Sequence, residues 1–256
     1  MTSSIYDEIA DFNPAEMYLS GRVILITGAS RGIGGALTKA AAALGAKVVM
    51  VARTARDMEK IADECLALNI VEPAIIPMNL EGATVDDYQS VIQVIQDNYG
   101  RLDGLVLNAG QLGELSPISE YDPVSWAKVF QVNIHSQFLL LQAAIPLLSK
   151  ADDASILFTS SSVGRKSRAY WGAYAVSKFA AEGLMQTLAD ELEATNVRVN
   201  AINPGRTKTQ MRAQAYPAED ANSLASPESI VKPFLYLLGA AGAAFNGVSI
   251  DAQSPH

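Results

Sequence analysis

Seven short apolar runs punctuate the chain: VILIT (23–27), KVVMV (47–51), AIIPM (74–78), LDGLVLN (102–108), SILFTS (155–160), VRVNAI (197–202) and GVSI (247–250). Several are near-continuous in Val, Ile and Leu, the pattern of strands covered on both faces. Longer helix-like stretches fill the gaps, at 32–44, 55–69, 84–99, 123–150, 171–195 and 227–239. Strand–helix alternation of this kind predicts an α/β fold, a parallel sheet with helices on both sides. The Ala run at 40–43 lets its helix sit close to the sheet. No Pro/Gly/Ser-rich linker divides the chain, so residues 21–256 read as one domain behind an N-terminal arm, 1–20. Residues 206–226 are the least regular stretch and are expected to form a mobile substrate loop.

Composition narrows the function classes. The chain has 256 residues, and its 19 basic and 27 acidic side chains give a net charge of -8. That balance disfavours nucleic acid and anionic membrane as partners. Cys65 stands alone, so no intramolecular disulfide forms, and with His135 and His256 as the only histidines no metal site is expected. The acidic N-terminus MTSSIYDEIADF does not read as a secretory signal, and no apolar stretch is long enough to cross a membrane. A soluble cytoplasmic protein is the expectation.

Two segments carry candidate chemistry. The first is VILITGASRGIGGALTKAAAALG, where Gly28, Gly32 and Gly34 lie between a predicted strand and a predicted helix. Glycines there let backbone N–H groups approach a pyrophosphate, and the helix N-terminus offers unsatisfied donors to the anion. The second is SSSVGRKSRAYWGAYAVSK (160–178). Tyr174 and Lys178 are four apart on a predicted helix and share a face. A phenol is a poor base near neutrality, and a neighbouring ammonium favours its phenolate. Tyr170 has no lysine four residues on and is expected to line the entrance or to pack beside Trp171.

Five motifs in order, spanning residues 21 to 251, make the chain resemble the short-chain dehydrogenase/reductase family. They are T-G-x-x-x-G-x-G (Thr27–Gly34), N-A-G (Asn108–Gly110), the helix Asn in QVNIHS (Asn133), Y-x-x-x-K (Tyr174–Lys178) and N-P-G (Asn203–Gly205). FTSSSVGRKSRAYWGAYAVSKF and NPGRTKTQMRAQAYPAED further resemble a proteobacterial subgroup, mostly oxidoreductases of unknown substrate. The resemblance implies a Rossmann-type doubly wound sheet of about seven strands in the order 3-2-1-4-5-6-7.

It also implies roles. Tyr174 would be the general acid/base, Lys178 would tune it and bind the nicotinamide ribose, and Ser161, thirteen residues before Tyr174, would polarise the substrate oxygen. Ser162 is the runner-up for that serine. Asn133 would support proton resupply through a water held by its backbone carbonyl. His135, on another face, is expected to be ordinary packing or surface. Cofactor contacts would fall on Gly28, Ser30, Arg31, Gly32, Ile33 and Gly34, then Asn79 and Leu80, then Asn108, Ala109 and Gly110. Pro204, Gly205, Thr207 and Thr209 would complete them beside Tyr174 and Lys178. Asn79 replaces the common Asp beside adenine, and the tail GVSIDAQSPH lacks the usual Asp-Gly-Gly.

Ala52 stands where NAD-preferring relatives carry Asp, Arg53 follows, and no carboxylate occurs from 47 to 56. With Arg31 inside the glycine turn, this favours NADP(H), since an arginine pairs with a 2′-phosphate that a carboxylate would repel. The leading expectation is therefore an NADPH-dependent carbonyl/alcohol oxidoreductase acting on a small molecule. One alternative is a 3-oxoacyl-thioester reductase whose acidic carrier meets Arg165, Lys166 and Arg168. Another is a non-catalytic NADP-binding sensor or scaffold. Relatives pair through helices matching 123–150 and 171–195, which implies a homodimer or homotetramer. Gln111, Leu112, Tyr170, Trp171 and the 206–226 loop are the expected substrate determinants.

Overall fold

The computed structural model describes residues 4–253, so residues 1–3 of the arm and 254–256 of the tail lie outside the described residues. Its centre is β1 (Val23–Thr27), buried along its whole length. Alternation sends Ile24 and Ile26 into one core and Val23 and Leu25 into the other. On one side β1 pairs in parallel with β2 (Lys47–Ala52), which pairs with β3 (Ala74–Pro77). On the other side it pairs with β4 (Gly104–Leu107), followed by β5 (Ala154–Thr159), β6 (Val197–Asn203) and β7 (Ser249–Asp251). All pairs are parallel and the order is 3-2-1-4-5-6-7, as the resemblance implied. The order reverses between β1 and β4, which opens a crevice at their carboxyl ends.

Two helical layers cover the sheet. One core holds Leu37 of α2 (Gly32–Ala43), Met58 of α3 (Ala55–Ala67) and Phe234 of α9 (Lys232–Leu238). The other holds Tyr88 of α4 (Val85–Tyr99), Leu141 of α6 (Ser136–Leu148) and Met185 of α7 (Gly172–Glu191). α1 (Ile5–Asp11) starts at a Ser4 capping box and rests on α9, where Glu8 accepts a hydrogen bond from the Tyr236 hydroxyl.

Several elements differ from the sequence expectation. The stretch 123–150 is α5 (Pro123–Phe130), a π turn (Gln131–His135) and α6 in one helical run. The stretch 227–239 divides into a 3-10 turn and α9, and the helix expected to reach 195 ends at Glu191. The 206–226 segment is not formless: Thr209 caps α8 (Gln210–Ala215), and Thr207 bridges to Ala225.

Candidate active site

The carboxyl ends of the central strands border a cleft of about 1920 Å³. At its floor Gly28 (φ 66°) and Gly32 (φ 54°) adopt left-handed backbone that favours glycine. A Cβ on Gly28 would stand 2.9 Å from the Ala109 Cα, and one on Gly34 would stand 2.3 Å from the Gly28 carbonyl oxygen. The turn, the N-A-G segment and the first turn of α2 therefore pack backbone on backbone. Gly34 lies beneath the turn and does not line the cleft, whereas Gly28, Ser30, Arg31, Gly32 and Ile33 do.

Thr27 and Asn108 lock this floor. The Thr27 hydroxyl accepts hydrogen bonds from the Asn108 and Ala109 backbone N–H groups, each at 3.1 Å. The Asn108 amide donates to the Thr27 and Gly28 carbonyls at 3.1 and 3.3 Å. Asn108 thus holds the glycine turn in shape, and Ala109 and Gly110 face the cleft beside it. Further along, Ala52, Arg53, Asn79 and Leu80 border the same space. Arg31 and Arg53 are exposed, and among the described residues neither pairs with a carboxylate. Asn79 accepts a hydrogen bond from the Glu81 backbone N–H at 3.2 Å.

The opposite wall comes from β5, α7 and the turn after β6. β5 ends at Thr159, Ser161 follows in extended backbone, and Ser162 opens a 3-10 turn to Gly164. Ser161, Ser162, Tyr174 and Lys178 all line the cleft. The Ser161 hydroxyl is a neighbour of the Tyr174 phenol that favours its ionised form.

Burial sets the protonation of the pair. It pushes the Tyr174 phenol up to about 12, a rise that the neighbouring Ser161 hydroxyl moderates. It pushes the Lys178 ammonium down to about 8, against a raising influence from Glu182. The Lys178 Nζ donates to the Thr159 carbonyl at 2.7 Å and lies 5.7 Å from the Tyr174 ring centre. The sequence suggested a phenol lowered by its lysine; in this structure desolvation of the buried phenol prevails and raises it.

Glu182, one helical turn beyond Lys178, is 6% exposed. It accepts hydrogen bonds from the Ser160 and Ser249 hydroxyls. Its one signal in the sequence is the i+4 spacing from Lys178.

Asn133 is wholly buried in the π turn and does not line the cleft. It bonds neither its own turn nor the glycine floor. Its amide meets the Gln111 backbone in both directions and donates to the Ser177 hydroxyl at 3.0 Å. Gly110 is close by: a Cβ there would lie 3.7 Å from the Asn133 Oδ1 and 3.8 Å from the Lys178 Nζ. His135 is exposed, as expected of a neighbouring face.

After β6, Pro204, Gly205, Thr207 and Thr209 also line the cleft. Thr207 is buried and donates to the Pro204 carbonyl at 3.0 Å. Gln253, from the unusual tail, donates to the same carbonyl at 2.7 Å and so clamps the Asn-Pro-Gly turn. Asp251 joins it by accepting from the Asn203 amide at 2.8 Å. No local signal in the sequence pointed to Gln253, since its contacts come from the far end of the chain.

Two expectations are corrected. Arg165 is not a free cation: it pairs with Asp251 at 2.7 Å and donates to the Ser249 hydroxyl. Tyr170 does not line the entrance. It takes positive φ (71°), stands 61% exposed, and only its backbone carbonyl is engaged, by the Ser116 N–H. Trp171, Gln111 and Leu112 do border the cleft.

Comparison with known proteins agrees with this geometry. The model of the short chain dehydrogenase family matches residues 22–220. The uncharacterized oxidoreductase YciK of Escherichia coli K12 is 44% identical over 94% of this chain and 96% of its own length. A short chain dehydrogenase structure from Salmonella enterica serovar Typhi superposes with a TM-score of 0.92 at 44% identity, covering 94% of this chain and all of that one. A structure from Escherichia coli CFT073 complexed with NADPH gives a TM-score of 0.91 at 45% identity, covering 94% and 100%. This chain therefore belongs to the short chain dehydrogenase family of oxidoreductases.

Proposed function

We propose that the protein is an NADPH-dependent carbonyl reductase, or the reverse alcohol dehydrogenase, with Tyr174 as general acid/base. The observation that carries this reading is the convergence of Ser161, Tyr174 and Lys178 on one cleft with the glycine floor. The residues present suit NADPH. The backbone-packed glycine turn leaves room for a pyrophosphate, and unpaired Arg31 and Arg53 suit a 2′-phosphate. Bound NADPH supplies the hydride equivalent that reduces the carbonyl carbon.

The chain's own groups do the rest. Ser161 donates a hydrogen bond to the substrate oxygen as negative charge gathers there. Tyr174, protonated across the neutral range, gives that oxygen its proton. Lys178 holds the ribose and places positive charge beside the phenol, easing its loss of a proton. Asn133 fixes the Gln111 backbone and so the rim beside Lys178.

A thioester on an acidic carrier is less well supported, because Arg165 is committed to Asp251. A sensor without turnover is disfavoured by the filled Ser161, Tyr174, Lys178 and Asn133 positions. A homodimer or homotetramer fits the exposed Phe138, Val176 and Phe179 on α6 and α7.

The test is NADPH oxidation against ketones, aldehydes, quinones and ketoacyl thioesters. Tyr174→Phe should lower turnover of any substrate found by about 100-fold or more, with little change in NADPH affinity. Near-native turnover by that variant rules the mechanism out.

A further inference from the structure

The wall beside Tyr174 continues as a row of rings. Trp171 lies 5.8 Å from Tyr174 between ring centres, and Tyr216 lies 5.9 Å from Trp171. Leu112, Val163, Met211 and Ala215 pack around the same aromatic group. The row gives one side of the cleft an apolar surface leading away from the catalytic hydroxyl.

Arginines stand at the far end of this row, and they are not equivalent. Arg212 stacks on the Tyr216 face at 3.8 Å and is ion-paired with Glu219, which also takes Arg206. Arg168 donates to the Tyr216 hydroxyl at 3.4 Å and has no carboxylate partner among the described residues. Its neighbour in sequence, Arg165, is neutralised by Asp251. In a chain of net charge -8, Arg168 stands without a carboxylate among the described residues where the ring row ends. A carboxylate is the ligand an arginine of this kind meets best, through paired charge-assisted hydrogen bonds.

We infer that the substrate is an aryl or extended apolar aldehyde or ketone carrying a carboxylate at the end remote from the carbonyl. The carbonyl sits at Tyr174, the apolar body lies along Trp171 and Tyr216, and the carboxylate meets Arg168. This rests on the carbonyl chemistry proposed for Tyr174, but anion recognition can be measured without turnover.

The experiment uses the full chain saturated with NADP⁺ and two unreactive probes, biphenyl-4-carboxylate and biphenyl-4-carboxamide, titrated by calorimetry. The carboxylate should bind at least about tenfold more tightly than the amide, as a charge-assisted bond outweighs a neutral one. Arg168→Ala should abolish that preference, and Arg168→Lys should keep part of it. Lys208→Ala removes another cleft cation and should leave the preference in place. Equal affinities in the wild type, absence of binding by both probes, or a preference that survives Arg168→Ala overturns the inference. So does a preference that disappears with Lys208→Ala instead. Failure of the carbonyl reading looks different: Tyr174→Phe then keeps turnover while the probe preference is unaffected.

Discussion

Asn133 and Gln111 exchange two hydrogen bonds: the Asn133 Oδ1 accepts from the Gln111 N–H at 2.7 Å, and its Nδ2 donates to the Gln111 carbonyl at 2.9 Å. One amide side chain thereby meets both backbone groups of a single residue, as the facing residue of an antiparallel strand would. The π turn makes this contact available, because its extra residue per turn rotates Asn133 out of helical register. A mediocre helix former sits mid-helix because its side chain serves the segment after β4.

Asn133→Ala should therefore cost more than helix propensity suggests. It leaves the part-buried Gln111 N–H and carbonyl without partners, at about 1–3 kcal/mol for each group left unsatisfied. The midpoint of thermal unfolding should fall by several degrees, and turnover should fall with it. Asn133→Asp keeps the shape but cannot donate to the Gln111 carbonyl, so it should rescue little. An Asp variant as stable and active as wild type contradicts this account.

Cofactor choice should follow charge at the end of β2. Arg53→Ala should weaken NADPH by about tenfold relative to NADH, as one charge-assisted contact to the 2′-phosphate is lost. Ala52→Asp should go further, since a carboxylate there repels the phosphate and can accept from a free 2′-hydroxyl. Fluorescence titration with both nucleotides gives the ratio. An unchanged ratio in both variants places the 2′-phosphate elsewhere.

What could be read in advance was local. Apolar runs located β1 to β7, and helical spacing singled out Tyr174 with Lys178. Burial and long-range pairing were not local. Nothing around Tyr174 in sequence tells that desolvation holds its phenol near 12. In sequence Arg165 groups with Lys166 and Arg168 as a cation for an acidic carrier, yet its partner Asp251 lies 86 residues on. Gln253 and the Asn-Pro-Gly turn meet from 49 residues apart. The π turn was hidden because QVNIHS continues an ordinary helical pattern on both sides.

The apolar side chains left open on α6 and α7 bear on self-association. Phe138 is 48% exposed and Phe179 43%, on the two helices expected to form a self-association face. Phe179→Glu puts a charge on that face without touching the cleft. It should shift the protein to monomer mass in gel filtration, with the circular dichroism spectrum unchanged. A wild-type protein already at monomer mass would mean that this face stays in water.

Glu182 should govern how cofactor binding depends on pH. Burial depresses Lys178 to about 8, so its ammonium is present below that pH and lost as pH rises through it. NADPH affinity should therefore decline across about pH 8, while Tyr174, near 12, stays neutral throughout the window. Glu182 is the carboxylate that holds Lys178 up against burial. Glu182→Gln retains acceptors for Ser160 and Ser249 but removes the charge, so the decline should begin at lower pH. The nucleotide's own phosphate, with a second pKa near about 6, affects both proteins alike and cancels in the comparison. The measurement is NADPH dissociation constant against pH from 6 to 9 for wild type and variant. Superimposable curves would show that Glu182 only braces the serines and Arg165, with which it pairs at 3.5 Å, whereas a displaced alkaline limb assigns it the electrostatic support of Lys178.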